Sequence, residues 1–263
     1  ESQKISKLLL KKNTLIDLSA DFRLKKTSDF FKWYKIKHKA SYMVKNSIYA
    51  LPEIKKNKIK NKKIISCPGC YPTSILLPLI PLLKKKLISN NNIIIDSKSG
   101  YSGAGRDVHK KYKKKNLYES LSAYGIDNHR HNSEIQQELD LCSGKKNNFH
   151  FTPHLTPMFR GILSTIYVDL KKGITKHKIN SVLKNYYKNK KFVNIAKADT
   201  LLSTNSVINT NNCIISVCKS NSKEKLIILS VIDNLIKGGS GQAVQNMNLL
   251  YNFKENEGLN GKN

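Results

Sequence analysis

The sequence predicts an α/β fold built as one large domain or two modest ones. Three observations lead there. Short β-branched runs recur along the chain, three stretches have helical character, and the two kinds mix without strict alternation. With 263 residues, 39% of them hydrophobic and 8% aromatic, the chain can bury a core, which excludes collagen-like, low-complexity and disordered classes.

The elements follow in order. Residues 14–18 (TLIDL) read as a short buried strand closed by the turn-like Ser19, Ala20 and Asp21. The aromatic stretch 30–34 reads as a loop packed onto the core, and 55–63 as a basic connection into a strand at 63–66. Cys67, Pro68, Gly69, Cys70, Tyr71, Pro72 and Thr73 then turn into an apolar helical run. Residues 92–96 (NIIID) form a second buried strand that ends in a glycine loop at 99–105. Further strands are expected at 149–153, 161–170, 212–217 and 226–232, with an irregular loop at 151–161. Helices are expected at 133–141, 176–187 and 241–250. The longest apolar run, 75–83, is broken by Pro78 and Pro81 and falls well short of the roughly 20 residues of a membrane span.

The charge is strongly basic, at +29 from 47 Lys+Arg against 18 Asp+Glu. Its distribution argues against a specific nucleic-acid partner. The 43 lysines, beside 28 asparagines, are scattered in many short clusters, the signature of an A+T-rich gene. The four arginines are more informative, because a planar guanidinium grips carboxylate or phosphate in a way Lys cannot copy. Arg23, Arg106, Arg130 and Arg160 each fall in a dense polar-glycine segment. Five cysteines with no second C-x-x-C and no metal-ligand spacing predict no zinc site and a reducing, cytoplasmic compartment. The chain opens on Glu1 rather than Met, as a piece of something longer does.

Cys70 is the candidate nucleophile. It sits where a strand gives way to a helix, with Gly69 permitting the turn and Pro72 suited to the first helical turn. A helix N-terminus lowers a thiol's pKa and holds an oxyanion, so a thiolate here would attack an activated carbonyl. A buried structural cysteine is the alternative. Cys67 either meets Cys70 across the turn as a redox pair or points from its strand into the core. His129 and His131 flank Arg130 just before a helix whose start is marked by Asn132 or Ser133, and a His near its free pKa would move the proton. The glycines of 100–105 could pass for a dinucleotide fingerprint, but residues 107–115 are too charged for the helix it requires. A backbone loop lying against a ligand is the better reading. Arg160 is placed to catch an anion, and 233–242 is a glycine turn into the last helix.

Together, IDLSADFRL (16–24), PGCYPT (68–73), SGYSGAGR (99–106), HRHNSEI (129–135), FTPHLTPMFRG (151–161) and DNLIKGGSGQAVQN (233–246) resemble the N-acetyl-gamma-glutamyl-phosphate reductase family. This family is an arginine-pathway relative of aspartate-semialdehyde dehydrogenase. The resemblance spans about 14–250 and implies NADPH-dependent reduction of an acyl phosphate to a semialdehyde, with phosphate released. It implies Cys70 as nucleophile through a thioester and His129 as acid/base. Arg160, Arg130 and Tyr124 are implied at the substrate, and Ser99, Gly100, Ser102, Gly103, Asn234 and Gln242 near the NADP(H) nicotinamide. It further implies a homo-oligomer, with no specific nucleic acid and no membrane as partner.

Family members begin with a strand and a glycine-rich phosphate turn, and nothing here corresponds to that half-domain. The expected architecture is therefore an incomplete Rossmann-type dinucleotide domain (1–66 and 233–263) plus an α+β catalytic and dimerisation domain (67–232). Ala50 stands where the family usually has Gly. The rival readings are aspartate-semialdehyde dehydrogenase, against which HRH and PGCYPT speak, and an inactive fragment binding polyanions through its lysines.

Overall fold

The computed structural model describes residues 2–104 and 119–259. Arg106, with Gly105 and the charged stretch 107–115, lies outside the described residues. Two sheets organise the rest. The smaller is parallel, in the order β1 (Leu15–Asp17), β3 (Ile64–Ser66), β2 (Ser47–Tyr49), with Leu15 and Ser47 both registered on Ile64. Helix α1 (Ser2–Leu9) leads into it, and α2 (Thr27–Tyr34) and α3 (Pro52–Ile59) lie in its connections.

Both α2 and α3 differ from the loops expected from sequence. In α2, Phe30 is buried and stacks on Tyr34 one turn later, with centroids 4.6 Å apart, so the aromatic cluster is a helix face. In α3, Pro52 occupies the first turn, where its missing N–H costs nothing. The lysines face water, while Ile59 anchors the helix on Ala50, Ile65 and Leu249.

The larger sheet has seven strands. Their order is β5 (Ser122–Ala123), β6 (Phe149–Thr156), β4 (Ile93–Gly100), β7 (Ile162–Asp169), β10 (Lys225–Ile232), β9 (Cys213–Lys219), β8 (Val193–Ile195). Pairs β4/β6 and β8/β9 are parallel, and the rest are antiparallel. Strands β4 and β6 run farther than expected, so Ser99 and Gly100, and residues 151–156, are strand rather than loop. Pro153 sits inside β6 without harm. Its carbonyl accepts from Tyr124 N–H, so the side on which it lacks a donor faces the short β5 and not β4.

Helix α4 (Cys70–Lys84) fills the centre, with 13 of its 15 residues buried against β7, β10, α5 (His131–Ser143) and α6 (Lys176–Tyr187). Ile75, Leu76, Leu79 and Leu83 meet Ile95, Ile166, Ile228, Leu139 and Leu183 in one core. Burying each such side chain contributes about 1.5–3 kcal/mol. Strand alternation sends Ile162, Ser164, Ile166 and Val168 of β7 into this core. The buried Ser164 hydroxyl is paired with those of Ser74 and Ser97, each at 2.7 Å. The opposite face, with Ile94, Thr165, Tyr167, Ile227 and Leu229, stays partly exposed. The last helix, α7 (Gly241–Leu250), returns to pack on α3 and β1.

Pro78 and Pro81 lie inside α4, and each removes one intrahelical hydrogen bond. The carbonyl that Pro81 strands belongs to Leu77, and the Tyr187 hydroxyl of α6 donates to it at 2.5 Å. Tyr187→Phe is therefore expected to lower stability by about 1–2 kcal/mol, read from the urea midpoint. In a Pro81→Ala background, an amide at 81 reclaims that carbonyl and the same substitution should cost much less. Equal losses in both backgrounds contradict the assignment.

Candidate active site

Strand β3 ends at Ser66, and the turn Cys67, Pro68, Gly69 delivers Cys70 as the first residue of α4. Three side chains from distant segments hold that turn. Glu134, on the first turn of α5 and fully buried, accepts from Gly69 N–H at 2.9 Å, Tyr49 OH at 3.0 Å and Arg23 Nη1 at 2.9 Å. Arg23 in turn donates through Nε to the Cys67 carbonyl at 2.8 Å and through Nη2 to the Leu18 carbonyl at 2.9 Å. The guanidinium thus uses its whole planar edge, the role the scarcity of arginine suggested. The Glu134 charge raises the Arg23 pKa against the effect of burial, so the guanidinium stays charged.

Of the two histidines of the HRH segment, His131 reaches this turn. A side chain at Gly69 would collide with His131, with a Cβ only 2.3 Å from Nε2, so glycine is required there for packing. His129 sits one layer out among Tyr71, Tyr124 and Phe151, with ring centroids 5.5–5.6 Å away, and is 4.8 Å from His131. Its Nδ1 accepts from the His131 backbone N–H at 3.1 Å, so the neutral ring carries its proton on Nε2. His131 Nδ1 is buried with no hydrogen-bond partner. Helix α5 begins at His131 rather than at Asn132 or Ser133, because Ser133 Oγ donates back to the Arg130 carbonyl instead of capping an amide.

Two electrostatic expectations are corrected. The α4 N-terminus was expected to lower the Cys70 thiol, but burial dominates and pushes it up to about 11. The histidines were expected near their free value. Burial, then the mutual effect of the second imidazole for His129 and Arg23 for His131, brings each down to about 3. The site therefore holds a neutral Cys70 thiol and neutral imidazoles at His129 and His131. Cys67 points into the core, where Asn246 Nδ2 lies 3.7 Å from its sulfur and burial raises the thiol to about 12. All five cysteines are free thiols.

The other sequence-nominated residues divide into groups. Ser99, Gly100, Ser102 and Gly103 form the end of β4 and the turn beyond it, zipped by backbone hydrogen bonds to 158–161. Gly100 is packed on the Arg160 backbone so closely that a Cβ would sit 2.6 Å from its nitrogen. Asn234 ties this group together, accepting from Gly161 N–H at 2.6 Å and donating to Ser102 Oγ at 3.0 Å. Gln242 is fully buried and donates to Thr73 Oγ1 in the first turn of α4. Tyr124 donates to Tyr71 OH at 3.1 Å.

The two arginines both face protein groups. Arg160 pairs with Asp233 at 3.0 Å and Asn209 at 2.5 Å, and exposed Arg130 lies over the Tyr34 ring at 5.1 Å. Sequence reasoning missed Glu134, Tyr49 and Gly238. Only Glu134 carried a signal, as the acid three residues after His131. Gly238 approaches so near that a Cβ there would stand 2.6 Å from Cys70 Cβ. Among the described residues, no group of three or more His, Cys, Asp or Glu side chains is arranged for a metal ion.

A half-buried cysteine at a helix start, packed under a glycine turn and next to a glycine covered by an imidazole, on a mixed sheet beside a parallel one, defines a semialdehyde-dehydrogenase type of oxidoreductase. The model of the semialdehyde dehydrogenase dimerisation domain matches residues 70–234. Two solved structures share the fold. Aspartate semialdehyde dehydrogenase II of Vibrio cholerae, complexed with ASA, has a TM-score of 0.69 at 15% identity, covering 95% of this chain and 76% of that one. The Francisella tularensis aspartate semialdehyde dehydrogenase has 0.68 at 14%, covering 95% and 79%.

Curated sequences are much nearer. N-acetyl-gamma-glutamyl-phosphate reductase of Vesicomyosocius okutanii is 48% identical, covering 97% of this chain and 74% of that protein. The Desulforamulus reducens protein of the same name is 43% identical, covering 96% and 73%. The chain belongs to the N-acetyl-gamma-glutamyl-phosphate reductase family.

The histidines make stability pH-dependent, and the sign follows from their depressed values. Between about 3 and the ordinary 6.5 the unfolded chain binds more protons than the folded one, so stability rises with pH there. The contribution is complete above about 6.5 and is lost progressively as pH falls toward about 3. The urea midpoint should therefore drop between pH 7 and pH 4. His131→Asn should flatten that slope, and an unaltered slope in the variant contradicts the buried neutral imidazole.

Proposed function

We propose that this chain reduces N-acetyl-gamma-glutamyl phosphate to the semialdehyde, with release of phosphate, through a thioester on Cys70. The observation that carries the reading is the placement of Cys70 at the start of α4, against the Gly238 turn and next to Gly69, on which His131 packs, in a chain of this family. The dinucleotide the family implies is taken to be NADP(H). The residues present fit its reactive end. Gln242 Oε1 is fully buried without a partner, and Ser102 and Asn234 line the glycine turn after β4. Ser99, Gly100, Ser102, Gly103, Asn234 and Gln242 would hold it.

The chemistry then divides among the side chains. A neutral Cys70 thiol must lose its proton as it attacks the acyl carbon, and the imidazole of His131, whose Nε2 packs against Gly69 one residue before the thiol, is proposed to take it. His129, which the motif nominates as acid/base, accepts the His131 N–H and so helps to orient it. The carbon–oxygen bond to phosphate breaks, leaving the acyl group on sulfur. When bound, the reduced nicotinamide supplies the hydride. The resulting alkoxide is held at the α4 N-terminus until collapse expels the thiolate and the imidazolium returns its proton. Arg130, Arg160 and Tyr124 are proposed at the rim of the substrate site.

The reading extends to architecture. Residues 1–66 and 233–263 form the cofactor side, and 67–232 the catalytic and subunit-pairing side, whose partly exposed sheet face suits a homo-oligomer. Free thiols suit a reducing, cytoplasmic setting. No helix among the described residues is long and apolar enough to cross a membrane.

Cys70→Ser is expected to abolish phosphate-dependent oxidation of the semialdehyde, whereas Cys142→Ser, Cys213→Ser and Cys218→Ser retain it. His131→Asn should cut kcat by about 10²–10⁴-fold, and His129→Asn by less. Turnover in Cys70→Ser overturns the nucleophile. A larger loss in His129→Asn reverses the histidine roles.

A further inference from the structure

Lys237 is wholly buried, and nothing in the proposed reaction uses its ammonium. Its Nζ lies 2.5 Å from Glu53 Oε1 on α3 and 2.8 Å from Gln245 Oε1 on α7, over the face of Phe192. Gln245 Nε2 donates to the same Glu53 oxygen at 2.9 Å. Burial pushes the Glu53 carboxyl up, but the Lys237 ammonium and the Gln245 amide more than reverse this, holding it below the usual carboxylate range. Glu53 Oε2 is buried with no hydrogen-bond partner. A pair left incompletely satisfied is a poor device for stability, because desolvation offsets its attraction. What such a pair does well is fix one register.

The register in question is that of the turn Ile236–Ser240, which is wide and broken by a non-helical Gly239. Lys237 is gripped at both ends. Its side chain is held by α3 and α7, and its carbonyl accepts from Gln242 Nε2, which also donates to Thr73 Oγ1 on α4. Thr73 Oγ1 donates to the Gly69 carbonyl, closing the chain of contacts one residue from the nucleophile. The next residue, Gly238, has no side chain, and its Cα rests directly on Cys70, where a Cβ would stand 2.6 Å from Cys70 Cβ and 3.0 Å from its Cα.

We propose that Lys237, through its buried ion pair with Glu53, is a positioning residue that clamps the Gly238 turn down on Cys70 and so sets the exposure and reactivity of that thiol. The inference deepens the reading of Cys70 as nucleophile and takes its importance from it. Its reporter, the thiol's own alkylation, does not depend on turnover, so the two can fail separately.

The test is the pH profile of Cys70 alkylation by iodoacetamide, followed by peptide mass spectrometry on this chain, with Cys142 as internal control. The variants are Lys237→Met/Glu53→Gln, which removes both charges together, and Glu53→Gln alone, which leaves the amide acceptor in place. With the clamp released, the Cys70 midpoint should fall from about 11 toward the ordinary 9. Its rate at pH 8 should rise by roughly tenfold or more. Cys142 should not change. Glu53→Gln alone should move Cys70 the same way by less, which keeps the test alive if the double variant folds poorly. A wild-type Cys70 profile in a folded variant, or equal changes at Cys142, overturns the proposal.

Discussion

Everything around Cys70 hangs on one buried carboxylate. Glu134 receives three hydrogen bonds with no exposure to solvent, and each comes from a different part of the fold: Tyr49 on β2, Arg23 after β1, and Gly69 at the head of α4. Arg23 passes the constraint on to the Cys67 and Leu18 carbonyls, at the ends of β3 and β1. The parallel sheet and helices α4 and α5 are thus locked together at the turn that carries Cys70. Neither charge could stay buried alone, since breaking such a pair typically costs about 3–5 kcal/mol. The arrangement forces all of its members into place at once.

The same burial that makes the carboxylate decisive sets the character of the site. A helix N-terminus favours a thiolate, yet removal from water outweighs it at Cys70, and the imidazoles are kept neutral by the same cause. The site holds the Cys70 thiol and both imidazoles uncharged. In the proposed reaction, charge develops only once an acyl phosphate enters and the proton leaves sulfur for an imidazole. A neutral resting thiol is also less exposed to oxidation than a thiolate.

How much of this was legible in the sequence depends on how local the cause is. Gly69, Pro72 and Cys70 announced the strand–turn–helix because backbone geometry demands those residues within a few positions. The HRH segment and the glycine turn at 100–103 stood out for similar reasons. Helices α2 and α3 were read as loops because a lysine-rich chain blurs apolar periodicity, and their stability comes from tertiary anchors, Phe30 and Ile59. The partners of Glu134 were invisible, since Arg23 lies 111 residues away and no spacing rule links them. The direction of the Cys70 and histidine pKa shifts was misjudged for one reason. Sequence shows the helix end but not the packing that excludes water from it.

The most direct test of the central claim is the phosphate burst on mixing the acyl phosphate with enzyme in the absence of dinucleotide. Attack by Cys70 should release about one phosphate per chain as the thioester forms. Glu134→Gln can accept on only one side of its amide, and should slow that burst by roughly tenfold or more while leaving its amplitude and the substrate Kd nearly unchanged. A wild-type burst rate in the folded variant would contradict the account, because the turn would then keep its geometry without the carboxylate.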